Sequence, residues 1–219
     1  MTTAFHRARS DEQRAERRES ILATAESMLA TTRVSDLSLN ELARQVGLAK
    51  SNVLRYFESR EAVLLAIYDR QTAEFLDVLD ERIGPDSTID TLADAIANLA
   101  TSRPIFSDLT ASAPGVLEHN VSAEAAAEYK RSMIANAIRL SGIARPVLGD
   151  VGPRGLEAFA GGTLLIIGGA WAMTQPSPGM AAAYAANADL RAAQLDLRTV
   201  IRELLATLAV GLQHRHAAL

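Results

Sequence analysis

Apolar residues recur along this chain at steps of three and four, and nowhere do β-branched residues alternate with polar ones as a half-buried strand requires. The pattern predicts helix nearly throughout, an all-α fold of about nine helices divided by glycine and proline. The first helix is expected from Asp11 to Thr31, opened by Ser10 with Gln13 at capping-box spacing and carrying Ile21, Ala25, Met28 and Leu29 on one face. A short second helix should start at Ser38, with Glu41 completing a Ser-x-x-Glu box; Leu39, Leu42, Ala43 and Val46 form its apolar stripe and Gly47 stops it. A third is predicted over Lys50 to Phe57, a fourth over Ser59 to Ile83, and the last over Ala188 to His214.

The stretch from Leu39 to Ala62 carries the chemistry. Two short amphipathic helices meet at a glycine-centred turn, and Leu42, Val46, Leu48, Val53 and Phe57 can close a small shared core. That is a helix-turn-helix, whose second helix enters the major groove of DNA. With the apolar residues inward, Lys50, Ser51, Asn52, Arg55 and Tyr56 face out. Amide and hydroxyl groups suit base edges, and cations and a phenol suit phosphates. The same pattern also fits a helical hairpin with a solvated polar face.

The residues themselves narrow the choice. The run Leu48-Ala49-Lys50-Ser51-Asn52-Val53-Leu54-Arg55-Tyr56-Phe57-Glu58-Ser59-Arg60-Glu61-Ala62 resembles the recognition segment of the TetR family of transcriptional repressors. Ile21 to Ala25 and Leu39-x-x-Leu42-Ala43-x-x-Val46-Gly47 match upstream, so the resemblance covers residues 18–66. It implies phosphate contact for Tyr56 and Arg60, and base or groove contact for Asn40, Lys50, Ser51 and Asn52; Arg55 sits where the family varies. Two departures stand out. Ala49 replaces a capping Ser worth about 1 kcal/mol, and Leu54 replaces an aromatic that often reaches the backbone.

The domain expectation is therefore a head over residues 1–62 and a helical effector-binding and dimerisation body over 63–219. In the body, Ala158 to Ala188 holds no charged residue. A membrane span needs about 20 apolar residues; this run is shorter before Thr174-Gln175-Pro176 and has no flanking cationic cluster, so a buried helix is expected and no membrane partner. Gly161 and Gly168, seven apart, line one helical face, while Leu197, Ile201, Leu204 and Leu208 form a seam suited to a bundle. The resemblance implies that the last two long helices pair with their copies. The same stripes also fit intramolecular core. By family analogy the middle helices surround an effector cavity, with Phe106, Glu118, Asn120, Tyr129 and Trp171 as candidate lining, although core, turn and capping duty explains each as well.

Composition changes the picture in three places. Cysteine is absent, which excludes disulfides and thiolate chemistry. Net charge is −4, yet the first 60 residues carry 10 Lys and Arg against 8 Asp and Glu, and the other 159 carry 12 against 18. Only the head is suited to meet a polyanion. No hydrolase elbow, P-loop or dinucleotide fingerprint occurs, and His6, His119, His214 and His216 form no ligand set with carboxylates. The expectation is a cytoplasmic non-enzyme without secretory leader, cofactor or metal. It would be a homodimeric repressor on a palindromic double-stranded DNA operator, released by a small molecule. The alternatives are an effector-independent regulator and an all-α interaction protein that no longer binds DNA.

Overall fold

The computed structural model describes the backbone of residues 2–217 and the side-chain surroundings of residues 12–215 except 116. Among these are eleven α-helices and no strand: α1 (Thr2–Leu29), α2 (Leu39–Val46), α3 (Lys50–Val53), α4 (Arg60–Arg82), α5 (Ile89–Ser102), α6 (Pro104–Ser112), α7 (Ala123–Leu148), α8 (Gly152–Thr174), α9 (Pro178–Ala186), α10 (Ala188–Ala192) and α11 (Leu197–Ala217). A 3₁₀ turn at Val34–Asp36 and a π-helical turn at Ala113–Leu117 complete the chain.

Four boundaries depart from the sequence pattern. Helix α1 begins at Thr2 and runs through Ser10, so no capping box opens it there. Ser38 is the N-cap of α2 without a side-chain bond, and the Glu41 carboxylate accepts from Arg44 and Gln45 instead of reaching back, so neither half of the capping box forms. Helix α3 stops at Val53 and unwinds into a turn over residues 54–56. The expected last helix is broken. Asp196 accepts from Thr199 N at 2.8 Å, capping a fresh helix at Leu197 and separating it from α10.

By its contacts the chain divides into two units: Met1–Arg70 with Ser112–Tyr129, and Gln71–Ala111 with Lys130–Leu219. The expected boundary at 62/63 falls inside α4, and the connector before α7 belongs with the head.

The first unit closes over Ile21, Val34, Leu37, Leu42, Val53, Phe57, Leu64 and Ile67, all buried. Arg70 of α4 reaches across to α1, pairing with Glu19 and lying 2.9 Å from Glu26. The latter contact has the distance of an ion pair without hydrogen-bond alignment. Ser122 caps α7, accepting from Ala125 N at 3.2 Å as its position before the helix predicts.

The second unit packs Phe75 on Phe106 (ring centroids 4.5 Å apart, stacked) together with Leu92, Ile96, Leu109, Phe159, Ile167 and Ile201. Its buried hydroxyls are satisfied: Ser107 donates to Ala100 O, Thr110 to Phe106 O and Thr163 to Phe159 O, each at 2.8 Å. Arg198 binds Asp94 and Asn98, and Arg202 binds Asp90, fastening α11 to α5. Helix α8 is 23 residues long, longer than the apolar run suggested, and by length and composition it could cross a membrane. Its Leu156, Phe159, Ala160, Thr163, Ile167 and Ala170 are nonetheless buried within the unit. Helices α9 and α10 bury no residue.

Candidate nucleic-acid interface

The turn between α2 and α3 depends on one backbone conformation. Gly47 takes φ 73°, its N–H donates to Arg44 O at 3.2 Å, and Leu48 N–H donates to Ala43 O at 2.9 Å. A side chain there would be strained in the left-handed region, which is why glycine ends α2. The chain then enters α3 from Ala49, which caps nothing with its side chain.

Helix α3 buries Val53, and Phe57 beyond the turn is buried too; Lys50, Ser51, Asn52 and Arg55 are exposed and Tyr56 is half-buried. Asn40 is exposed on α2. The structure therefore brings six of the seven expected DNA-facing residues to accessible positions around one short helix. Arg60 is the exception. Its Nε and Nη2 lie 3.0 Å from Glu61, and its Nη1 donates to Ser35 O (3.1 Å) and Leu37 O (3.3 Å). Three of the five guanidinium N–H donors are thus hydrogen-bonded to the Ser35 and Leu37 carbonyls and to the buried Glu61 carboxylate, and Nη2 lies against that same carboxylate as an ion pair.

Two residues that the sequence pattern did not single out stand behind this helix. Arg14 Nη2 donates to Arg55 O (3.2 Å) and Arg18 Nη1 to Tyr56 O (2.6 Å). Their one-turn spacing on α1 was visible in the sequence, but their carbonyl partners depend on α3 ending early.

With this geometry, the family assignment rests on both halves of the chain. Residues 21–67 match the bacterial regulatory proteins of the tetR family, and residues 68–216 match the tetracyclin repressor-like C-terminal domain. The chain belongs to the TetR family of DNA-binding transcriptional regulators. The HTH-type transcriptional regulator EthR of Mycobacterium tuberculosis H37Rv is 42% identical over 55 residues, 25% of this chain and 26% of the relative. The chain thus matches about a quarter of that protein's length. Among solved structures, a TetR transcriptional regulator from Rhodococcus sp. RHA1 superposes with TM-score 0.58 at 14% identity, covering 90% of this chain and 97% of that one. FadR from Bacillus subtilis in complex with stearoyl-CoA gives 0.56 at 14% identity, covering 88% and 98%. At such identities the likeness is one of fold.

In this TetR-family chain the five candidate effector residues do not share one unit. Glu118, Asn120 and Tyr129 belong to the first, Phe106 and Trp171 to the second. Phe106 is 1% exposed in the stack with Phe75, and the Trp171 indole N–H donates to Asp108 Oδ1 at 3.0 Å. Tyr129 is buried beside Tyr68, ring centroids 6.3 Å apart, and Asn120 is exposed in the turn before Ser122. An open groove of about 530 Å³ in the second unit is lined by Thr88, Ile89, Asp90, Ala206, Thr207 and Val210. Its walls come from residues over a hundred positions apart, so no local motif announces it.

The six candidate dimer residues also separate. Gly168 is buried, with space for a Cβ limited by Ala111 Cα and Thr110 O at 3.3 Å; Ile201 is fully buried in its own unit. Leu197 and Leu208 are half-buried, Leu208 lying where a side chain on Gly162 would go. Gly161 has open space around it, and Leu204 is 48% exposed. Exposed Ala158, Gly161, Leu165, Gly169 and Ala172 form a continuous stripe on α8 at steps of three and four.

Proposed function

We propose that the protein is a homodimeric, sequence-specific repressor of transcription, without enzymatic activity, acting in the cytoplasm on a palindromic operator and released from it by a small molecule. The observation that carries the DNA reading is the two-sided character of α3 and its turn: Val53 and Phe57 are buried while Lys50, Ser51, Asn52 and Arg55 are exposed. Tyr56 then meets phosphate, which fixes register; Lys50, Ser51 and Asn52 reach base edges, which carry sequence information. Asn40 flanks the groove, and Arg60 braces the head from within.

Dimerisation is supported by the α8 stripe. Leu165 is 75% exposed and Met173 69% on a helix whose other side is core, and a second copy would cover a self-complementary face of this kind. That reading favours Gly161 and Leu204 over Gly168 and Ile201 as interface residues, and it gives the apolar helix a protein neighbour rather than lipid. A ligand that binds the second unit better in a conformation unsuited to the operator would shift the population away from DNA.

Selection of bound sites from random duplex DNA tests the reading. Enrichment of a palindrome whose half-sites are one helical turn or a multiple apart is expected. Recovery of no preferred sequence would leave an all-α interaction protein as the better account.

A further inference from the structure

We propose that Arg14 is a phosphate contact, so that the DNA-binding surface extends beyond the helix-turn-helix onto the helix that precedes it. This rests on the reading of Arg55 and Tyr56 as DNA-facing residues. Helix α3 has four residues and no side-chain cap at Ala49. The turn that follows leaves carbonyls at Arg55 and Tyr56 which α3 cannot satisfy, and such orphan acceptors need partners. Helix α1 supplies both, from arginines one turn apart on a single face.

The two arginines then differ. Arg18 is half-buried, its guanidinium carbon 4.1 Å from the centroid of buried Phe57, and it donates to Tyr56 O at 2.6 Å. It holds the turn from inside. Arg14 is exposed, with its guanidinium carbon 5.8 Å from the Tyr56 centroid. Among the described residues, one of its five N–H donors has a partner, the Arg55 carbonyl.

A planar guanidinium can lie against an aromatic face and still donate from its edge, and being held there it loses less freedom when it meets an anion. Arg14 and Tyr56 thus bring a fixed cation and a phenol to one place beside exposed Arg55. This is the chemistry of a phosphate clamp. Arg60, with three donors hydrogen-bonded inside the head and Nη2 in an ion pair with Glu61, is poorly placed for the same task.

The test separates a phosphate contact from a purely structural bond to Arg55 O. Affinity for a pool of random-sequence 30-base-pair duplexes is measured by fluorescence anisotropy between 50 and 200 mM salt, for the wild type, Arg14→Gln and Arg14→Lys. Each lost phosphate contact lowers the slope of log affinity against log salt by about 0.9. Arg14→Gln, which keeps an N–H donor but no charge, should lose about 0.9 per head. Arg14→Lys should restore the slope, since an ammonium also reaches phosphate. A wild-type slope in Arg14→Gln would overturn the proposal while leaving the DNA reading intact. A wild type that binds no duplex at any of these salt concentrations would overturn both.

Discussion

The Glu58 carboxylate accepts a hydrogen bond of 2.6 Å from the backbone N–H of Ser122, joining the loop after the recognition turn to the N-cap of α7. The two residues are 64 positions apart, and the bond brings the connector before α7 into the first unit. An anion at a helix N-terminus is favoured by the unpaired N–H groups there. Replacing Glu58 with Ala should lower stability by about 1 kcal/mol at most, the worth of an exposed anion at a helix N-terminus. Urea unfolding measures the loss. Amide exchange should accelerate at Ser122 first; unchanged protection there would show that the bond contributes nothing in solution.

Two glycines on α8 should behave in opposite ways. Gly168→Leu forces a side chain against the α6 backbone at Ala111 and Thr110, so it should destabilise the folded chain by about 1 to 3 kcal/mol. Gly161→Leu meets open space and should leave the chain's own fold intact. If the α8 stripe pairs two copies, the same change should shift light scattering at micromolar concentration from dimer toward monomer. A Gly161→Leu protein that remains fully dimeric would move the interface elsewhere.

The fold class and the helix-turn-helix were legible because both depend on local pattern. Leu39, Leu42, Ala43 and Val46 mark one face of α2, and Gly47 adopts the positive φ that its place after the helix requires. Ser122 is an N-cap, as its place before α7 suggests. Partners distant in sequence were not legible. Glu41 looked like a capping residue, yet Arg44 is close enough on the next turn to take its carboxylate. Gly168 and Ile201 look like interface positions by spacing alone, but which face of α8 or α11 is covered depends on where α5 and α6 lie. The resemblance implies phosphate contact for Arg60; its bonds to the Ser35 and Leu37 carbonyls leave no trace in side-chain pattern.

Tyr129 gives a pH dependence. Burial, reinforced by Tyr68 and Glu118, pushes its phenol above the ordinary value of 10.0. The folded state therefore disfavours the phenolate, while the unfolded chain ionises freely. Its contribution to stability is fully present below the ordinary value and is lost as pH rises from there toward the folded-state value. In urea unfolding between pH 8 and 11, the wild type should lose stability more steeply than Tyr129→Phe at the upper end. Parallel curves would show that the phenol ionises alike in both states.

The division of labour in the head can be separated by two substitutions. Arg60 donates to Ser35 O, Leu37 O and buried Glu61, so Arg60→Ala removes several bonds and leaves that carboxylate without its cation. A buried charge left unpaired is penalised, and the loss should be about 2 to 3 kcal/mol of stability in urea unfolding. The salt slope of DNA binding by the remaining folded protein should stay near that of the wild type, because three of the donors are hydrogen-bonded inside the head. The Asn52 side chain is exposed on α3 and makes no internal hydrogen bond among the described residues. Asn52→Ala should leave both stability and salt slope nearly unchanged. It should weaken binding to the selected operator by about 1 to 3 kcal/mol per half-site and relax preference at one base pair. Unfolding curves, together with operator affinity at several salt concentrations for the wild type and both variants, decide the matter. An Arg60→Ala protein as stable as the wild type but with a shallower salt slope would return Arg60 to the phosphates. An Asn52→Ala protein that keeps full preference at every operator position would remove Asn52 from base recognition.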